Sequence, residues 1–298
     1  MCQLHLIKKY KSKIDDYDLN QMSKLMLFGS KFNNDAFGLF NQNNYFKSGG
    51  KFNEEILPRD KLIKDTNFII GHNRASTSMS FWDEKVNQHH PFVLNDLVLV
   101  HNGVISNYRK IKKKYNLISE IKTDSYIILY LIDMFLNQSK KSTRKQKLVD
   151  AINKTLSELE GTISIFLYDA QLDCLIYYKN MMTEFSLYIL DEKILVGSTK
   201  YDNIDYVYQS IRSRREIFIE NGTVYEITSN PKKPIITLSS IEESSGLLEK
   251  WFIYKIFDFI ITIMMSPFVL VTMTWDSLQT FFKDKKSNNQ NLKGGLKK

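Results

Sequence analysis

Cysteine, proline and glycine are scarce in this chain: its 298 residues include two Cys, five Pro and 12 Gly. Cys2 and Cys174 stand too far apart to suggest a disulfide framework, which points to a reducing, cytoplasmic setting. Long runs without Gly or Pro, with 43% hydrophobic and 13% aromatic residues, exclude disorder for most of the chain. No secretory signal opens the sequence, because its first residues alternate polar and apolar and soon become charged. Acidic residues are outnumbered, 33 against 41 basic, and the excess sits in runs at Arg109–Lys114, Lys140–Lys147 and Lys283–Lys298. A nucleic-acid interface would need stacking aromatics or a binding motif beside such a run, and neither is present. Solvated helix faces and a soluble or membrane-adjacent tail account for the charge.

What is present centres on Leu97–Asn107, read Leu-Val-Leu-Val-His-Asn-Gly-Val-Ile-Ser-Asn. Four apolar residues predict a buried strand, which His101-Asn102-Gly103 is expected to stop. An Asn amide followed by a Gly N–H offers two adjacent neutral donors, as an oxyanion requires; an ordinary turn has the same spelling. At the start of the chain, removal of Met1 would leave Cys2 with a free α-amine, able to act as base for its own thiol. A second-position Cys can equally be without meaning. Asn67–Ser76 predicts a buried strand ending at Gly71, then a polar cluster with Arg74, a residue suited to gripping a carboxylate. His89 and His90, with His72 and His101, could be metal ligands, but no Cys or carboxylate stands at zinc-site spacing, so no metal is expected. Thr123 reads as a helix N-cap with Asp124 in the first turn, where a carboxylate either complements the helix dipole or binds an ammonium.

Around these lie helices expected at Leu19–Phe28, Tyr108–Tyr115, Tyr126–Phe135, Lys147–Leu159 and about Tyr201–Ile211, with a short helix or turn at Pro58–Lys64. Strands are expected at Gln3–Ile7, Thr162–Tyr168, Cys174–Tyr178, Ser186–Leu190, Ile194–Val196 and Gly222–Ile227, with a strand entered near Asn34–Phe40 and a turn at Ser48-Gly49-Gly50. This alternation admits either a parallel α/β sheet or an antiparallel sandwich.

Taken in order, Met1-Cys2, Asp35-Ala36-Phe37-Gly38, Gly71 to Thr77, Asn87 to Pro91, His101-Asn102-Gly103 with Asn107, Thr123-Asp124-Ser125, Gly197-Ser198-Thr199 and Asn221 to Val224 resemble the class II, N-terminal nucleophile glutamine amidotransferase domain. The resemblance covers about residues 1–230. It implies an α+β fold, the four-layer αββα Ntn-hydrolase sandwich. It also implies Cys2 as nucleophile with its own α-amine as base, and Asn102 with the Gly103 N–H as oxyanion hole. Arg74 would hold the glutamine α-carboxylate and Asp124 its α-ammonium, with Gly103 helping at that end. No cofactor is implied, and the histidines become wall residues. Gln3 stands where the family commonly has Gly, Ala75 where many members carry Trp or Tyr, and Tyr126 where an acidic residue is frequent. These departures bear on substrate preference and remove no catalytic atom.

Beyond residue 230 the reading is a linker at 231–250, a hydrophobic helix at 251–282 and a basic disordered tail at 283–298. The apolar stretch 251–275, containing Lys255, Asp258 and Pro267, either spans a membrane or packs on this domain or a partner. The segment after residue 240 is too short for a synthase domain, so a separate acceptor-bearing protein is expected to use the ammonia. A stand-alone γ-glutamyl amidase and a silent scaffold of the same fold are the alternatives.

Overall fold

The computed structural model describes residues 2–75 and 85–241. Ser76 and Thr77, the apolar stretch 251–275 and the basic tail all lie outside that range. No helix among the described residues is long and apolar enough to cross a membrane.

Strand β1 (Gln3–Lys9) leads into α1 (Asp16–Gly29), the hairpin β2 (Ala36–Phe40) and β3 (Tyr45–Gly49), α2 (Arg59–Ile63) and β4 (Phe68–Arg74). Next come β5 (Phe92–Leu94), β6 (Leu97–Ile105) and the helices α3 (Tyr108–Lys114), α4 (Asp124–Gln138) and α5 (Arg144–Glu158). The second half is β7 (Gly161–Asp169), β8 (Cys174–Lys179), β9 (Ser186–Leu190), β10 (Ile194–Ser198), α6 (Tyr201–Val207), β11 (Arg214–Glu216), β12 (Thr223–Ile227) and β13 (Ile235–Ser240). One sheet runs β11-β9-β10-β1-β4-β2-β3, the other β13-β12-β8-β7-β6-β5. Pairing is antiparallel, as between β1 and both its neighbours, which settles the sandwich against a parallel sheet.

The period-two pattern of the strands decides the layers. On β1, Leu4 and Leu6 face the other sheet and meet Val100, Phe166 and Tyr177 in the central core. Ile7 points the opposite way, into a cluster with Leu19, Met22, Leu25 and Met26 of α1. On the far side, Leu97, Leu99, Ile163 and Ile165 pack against Ile128, Leu131 and Ile132 of α4 and Leu148 and Ile152 of α5. Helix, sheet, sheet, helix is the resulting order. Burying each such aliphatic side chain contributes about 1.5–3 kcal/mol.

Several local expectations give way. β6 does not stop at His101 but runs through Asn102 and Gly103 in register with Ser164 and Ile163 of β7. β4 likewise continues past Gly71 to Arg74, because Gly71 lies beneath α1; a Cβ there would sit 2.5 Å from the Met26 sulfur. Ser48 and Gly49 belong to β3, and the hairpin turn falls earlier, where the Asn41 carboxamide accepts from the Asn43 and Asn44 N–H groups at 2.8 and 2.6 Å. β13 occupies part of the stretch expected as a linker and pairs with β12. Thr123 holds the N-cap position of α4 without a side-chain cap bond, its hydroxyl buried and unpartnered.

Candidate active site

Cys2 sits at the start of β1, the strand flanked by β4 and β10. Gln3 pairs with Asn73, so Cys2 lies beside the Arg74–Ala75 end of β4, and its thiol donates to the Ala75 carbonyl at 3.7 Å. Burial pushes the Cys2 thiol above its ordinary pKa; the Ala75 backbone and the positive charge of Arg74 pull it down, while the Asp124 charge pushes it up. The thiol is therefore protonated at neutral pH and needs a base. Gln3 does not crowd it: its side chain is buried and accepts from Asn203 of α6 at 3.0 Å.

Asn102 and Gly103 lie within β6, and Asn102 is buried with its Oδ1 unpartnered. Gly103 adopts φ +148°, and a Cβ there would fall 1.9 Å from the Thr162 carbonyl oxygen. Only glycine fits this position. The carbonyl of the preceding His101 accepts from His72 Nε2 at 3.1 Å, which ties β6 to β4 across the sandwich.

Arg74, nearly buried at the end of β4, donates through Nη1 to His89 Nδ1 at 3.3 Å. Asp124 opens α4, and its carboxylate reaches back: Oδ2 accepts the Ile105 N–H at 2.7 Å and Oδ1 the Ser125 N–H at 2.9 Å. The Ser125 hydroxyl lies 2.8 Å from His101 Nδ1. Because His101 Nε2 faces the Thr162 carbonyl at 3.1 Å, it must carry the ring proton, and Nδ1 accepts from Ser125. The single Ser125 proton is thus committed to His101. Ser125 stood in the Thr123-Asp124-Ser125 motif without an assigned role, and nothing local in the sequence marks the Thr162 contact.

All five histidines are buried. His5 bonds Asn73 Oδ1 and Ser198, each at 3.1 Å, and burial lowers its pKa to about 4. Burial likewise lowers His72 to about 3, and His90, with both ring nitrogens unpartnered, stacks on His72 at 4.1 Å. No His–Cys2 hydrogen bond is present among the described residues, where the thiol donates only to a carbonyl. Nor is any group of three or more His, Cys, Asp or Glu there placed to hold a metal ion. Cys174 is a buried strand residue whose thiol is pushed up to about 12, chiefly by burial, as suits a core position.

The candidate site thus has a thiol acted on by the positive charges of the amino terminus and Arg74 and the negative charge of Asp124, with an obligatory glycine on β6. A family profile described as a glutamine amidotransferase domain matches residues 72–203, from the β4 histidine to α6. Over these residues the chain is similar to glutamine amidotransferase domains. The glutamine–fructose-6-phosphate aminotransferase (isomerizing) of Streptococcus pyogenes serotype M1 is 33% identical over 149 residues, 48% of this chain and 24% of that protein. The Bacillus subtilis enzyme of the same name is 35% identical over 103 residues, 34% and 16% of the two chains. The amidotransferase domain's match therefore spans about a quarter or less of these curated relatives. Among solved structures, the glutamine phosphoribosylpyrophosphate amidotransferase of B. subtilis shares the fold with a TM-score of 0.57 at 17% identity, over 82% of this chain and 50% of that one.

Proposed function

We propose that the chain hydrolyses the side-chain amide of glutamine through Cys2 and supplies ammonia to an acceptor reaction on a separate protein. The observation that supports this reading is that Cys2 lies at the Arg74–Ala75 end of β4, with its thiol on the Ala75 carbonyl and both Arg74 and Asp124 near enough to act on it electrostatically. A zwitterionic amino acid needs a cation for its carboxylate and an anion for its ammonium at one end of a pocket, with a nucleophile at the other. Arg74 and Asp124 are the proposed pair.

In this mechanism Met1 is removed and the freed α-amine of Cys2 takes the thiol proton. The thiolate attacks the amide carbon, and the negative oxygen is received by the Asn102 side chain and the Gly103 N–H. The C–N bond breaks, nitrogen leaves as ammonia with the proton returned by the α-ammonium, and a γ-glutamyl thioester remains. Water attacks the thioester to give glutamate and restore the thiol. The α-amine role is supported by the raised thiol pKa and by the commitment of His5 and His101 to other partners. The proposed catalytic domain includes β13 and so extends beyond residue 230.

Intact mass of the purified protein, with and without 6-diazo-5-oxo-norleucine, tests this directly. Loss of Met1 and one stoichiometric adduct on Cys2 is expected. Retained Met1, or a processed protein without adduct, would overturn the glutamine reading in favour of another γ-glutamyl substrate or a silent scaffold.

A further inference from the structure

On the β2–β3 hairpin, Gly38 and Lys47 are cross-strand partners. Both meet the backbone of residues 89–91. The Lys47 ammonium donates to the His89 carbonyl at 3.0 Å and to the Pro91 carbonyl at 3.1 Å. Between them, the His90 carbonyl presses on Gly38 so closely that a Cβ there would lie 2.1 Å away. Of three consecutive carbonyls, Lys47 thus bonds the first and third, and the second packs over Gly38, where only a residue without a Cβ leaves room for it. Lys47 is half-buried, with the Phe92 ring 5.7 Å from its nitrogen, and burial lowers its pKa. Keeping a partly desolvated ammonium on two neutral acceptors is costly unless the geometry it enforces is needed.

What that geometry fixes is His89, whose Nδ1 accepts from Arg74. The Arg74 backbone is set by the same hairpin, since Ala36 of β2 pairs with Arg74. Main chain and guanidinium are thus both referenced to β2–β3.

We infer that Lys47 is a positioning residue for the α-carboxylate end of the pocket, acting through His89 on Arg74. The inference rests on the glutamine reading above and adds to it a residue that touches no substrate. Arg74 delivers its grip only if the guanidinium is held before substrate arrives, and a side chain left to wander forfeits part of that binding. The effect should appear in binding of the carboxylate and not in the chemistry at the amide.

The test measures steady-state ammonia release by the full chain and by Lys47→Met, His89→Ala and the double variant. Two substrates are used: glutamine and 4-aminobutanamide, which is glutamine without its α-carboxylate. Each single variant should raise the KM for glutamine roughly ten-fold while kcat stays within about two-fold. Turnover of 4-aminobutanamide should match that of the parent protein. The double variant should lose little more than either single one, because both act on the same guanidinium. An unchanged glutamine KM, or an equal loss on both amides, overturns the inference while leaving the glutamine reading standing. If Lys47→Met fails to fold, His89→Ala alone decides by the same criteria. A parent protein silent toward both amides overturns the glutamine reading and this inference with it.

Discussion

Ile105 donates its backbone N–H to the Asp124 carboxylate at 2.7 Å. The strand that carries Asn102 and Gly103 is thereby bonded directly to the carboxylate at the head of α4. In the proposed mechanism this joins the oxyanion donors to the ammonium partner, so the distance between the two ends of the substrate is built into one hydrogen bond.

Asp124→Asn removes the charge while leaving an oxygen able to accept one of the two backbone N–H groups. The expected result is a rise of roughly ten- to hundred-fold in the KM for glutamine, with kcat nearly kept. Steady-state kinetics decide the point, and a loss confined to kcat would contradict an ammonium-binding role.

Cys2→Ala should reduce glutamate release by roughly three orders of magnitude or more while the thermal unfolding midpoint changes little. The thiol makes one long hydrogen bond to a carbonyl, so its removal costs the fold little. Undiminished glutamate release by this variant would remove Cys2 from the chemistry.

Gly103→Ala should destabilise the fold by about 3 kcal/mol, since it combines a forbidden backbone angle with a clash against the Thr162 carbonyl. Urea denaturation measures this, and a neutral result would mean that β6 and β7 separate more easily than their register implies.

The buried histidines predict an acid limit to stability. His5 and His72 have folded-state values of about 4 and about 3, below the ordinary 6.5, so the native state binds fewer protons than the unfolded chain. Stability is therefore complete above about pH 6.5 and declines as pH falls toward 4 and then 3, by roughly 3 kcal/mol for His5 alone. Urea midpoints measured from pH 7 to pH 4 should show this fall, and His5→Gln should make it shallower, leaving the part due to His72.

Much of the architecture was legible because strands such as Thr162–Tyr168 and Cys174–Tyr178 announce themselves by apolar runs. The order of motifs around Cys2, Arg74, Asn102 and Asp124 pointed to the candidate site proposed above for the same reason: each is a local signal. What escaped depends on contacts between distant residues. Gly71 reads as a strand end until α1 is laid over it, and His101-Asn102-Gly103 reads as a stop until β7 is set alongside. β11 is a charged, largely exposed triplet, and β13 is only partly buried, so neither shows the alternation of a core strand. The start of α5 was different, because Thr143 and Gln146 form a capping box whose spacing is visible in the sequence.

The place of β1 also bears on when the site can exist during synthesis. Its two edges are covered by residues 68–74 and 194–198, so a nascent chain ending before Ile194 leaves one flank of the Cys2 strand open. The strand next to Cys2 therefore gains its second neighbour only once β10 has been made. Until then the candidate site lacks one of the two strands that flank it.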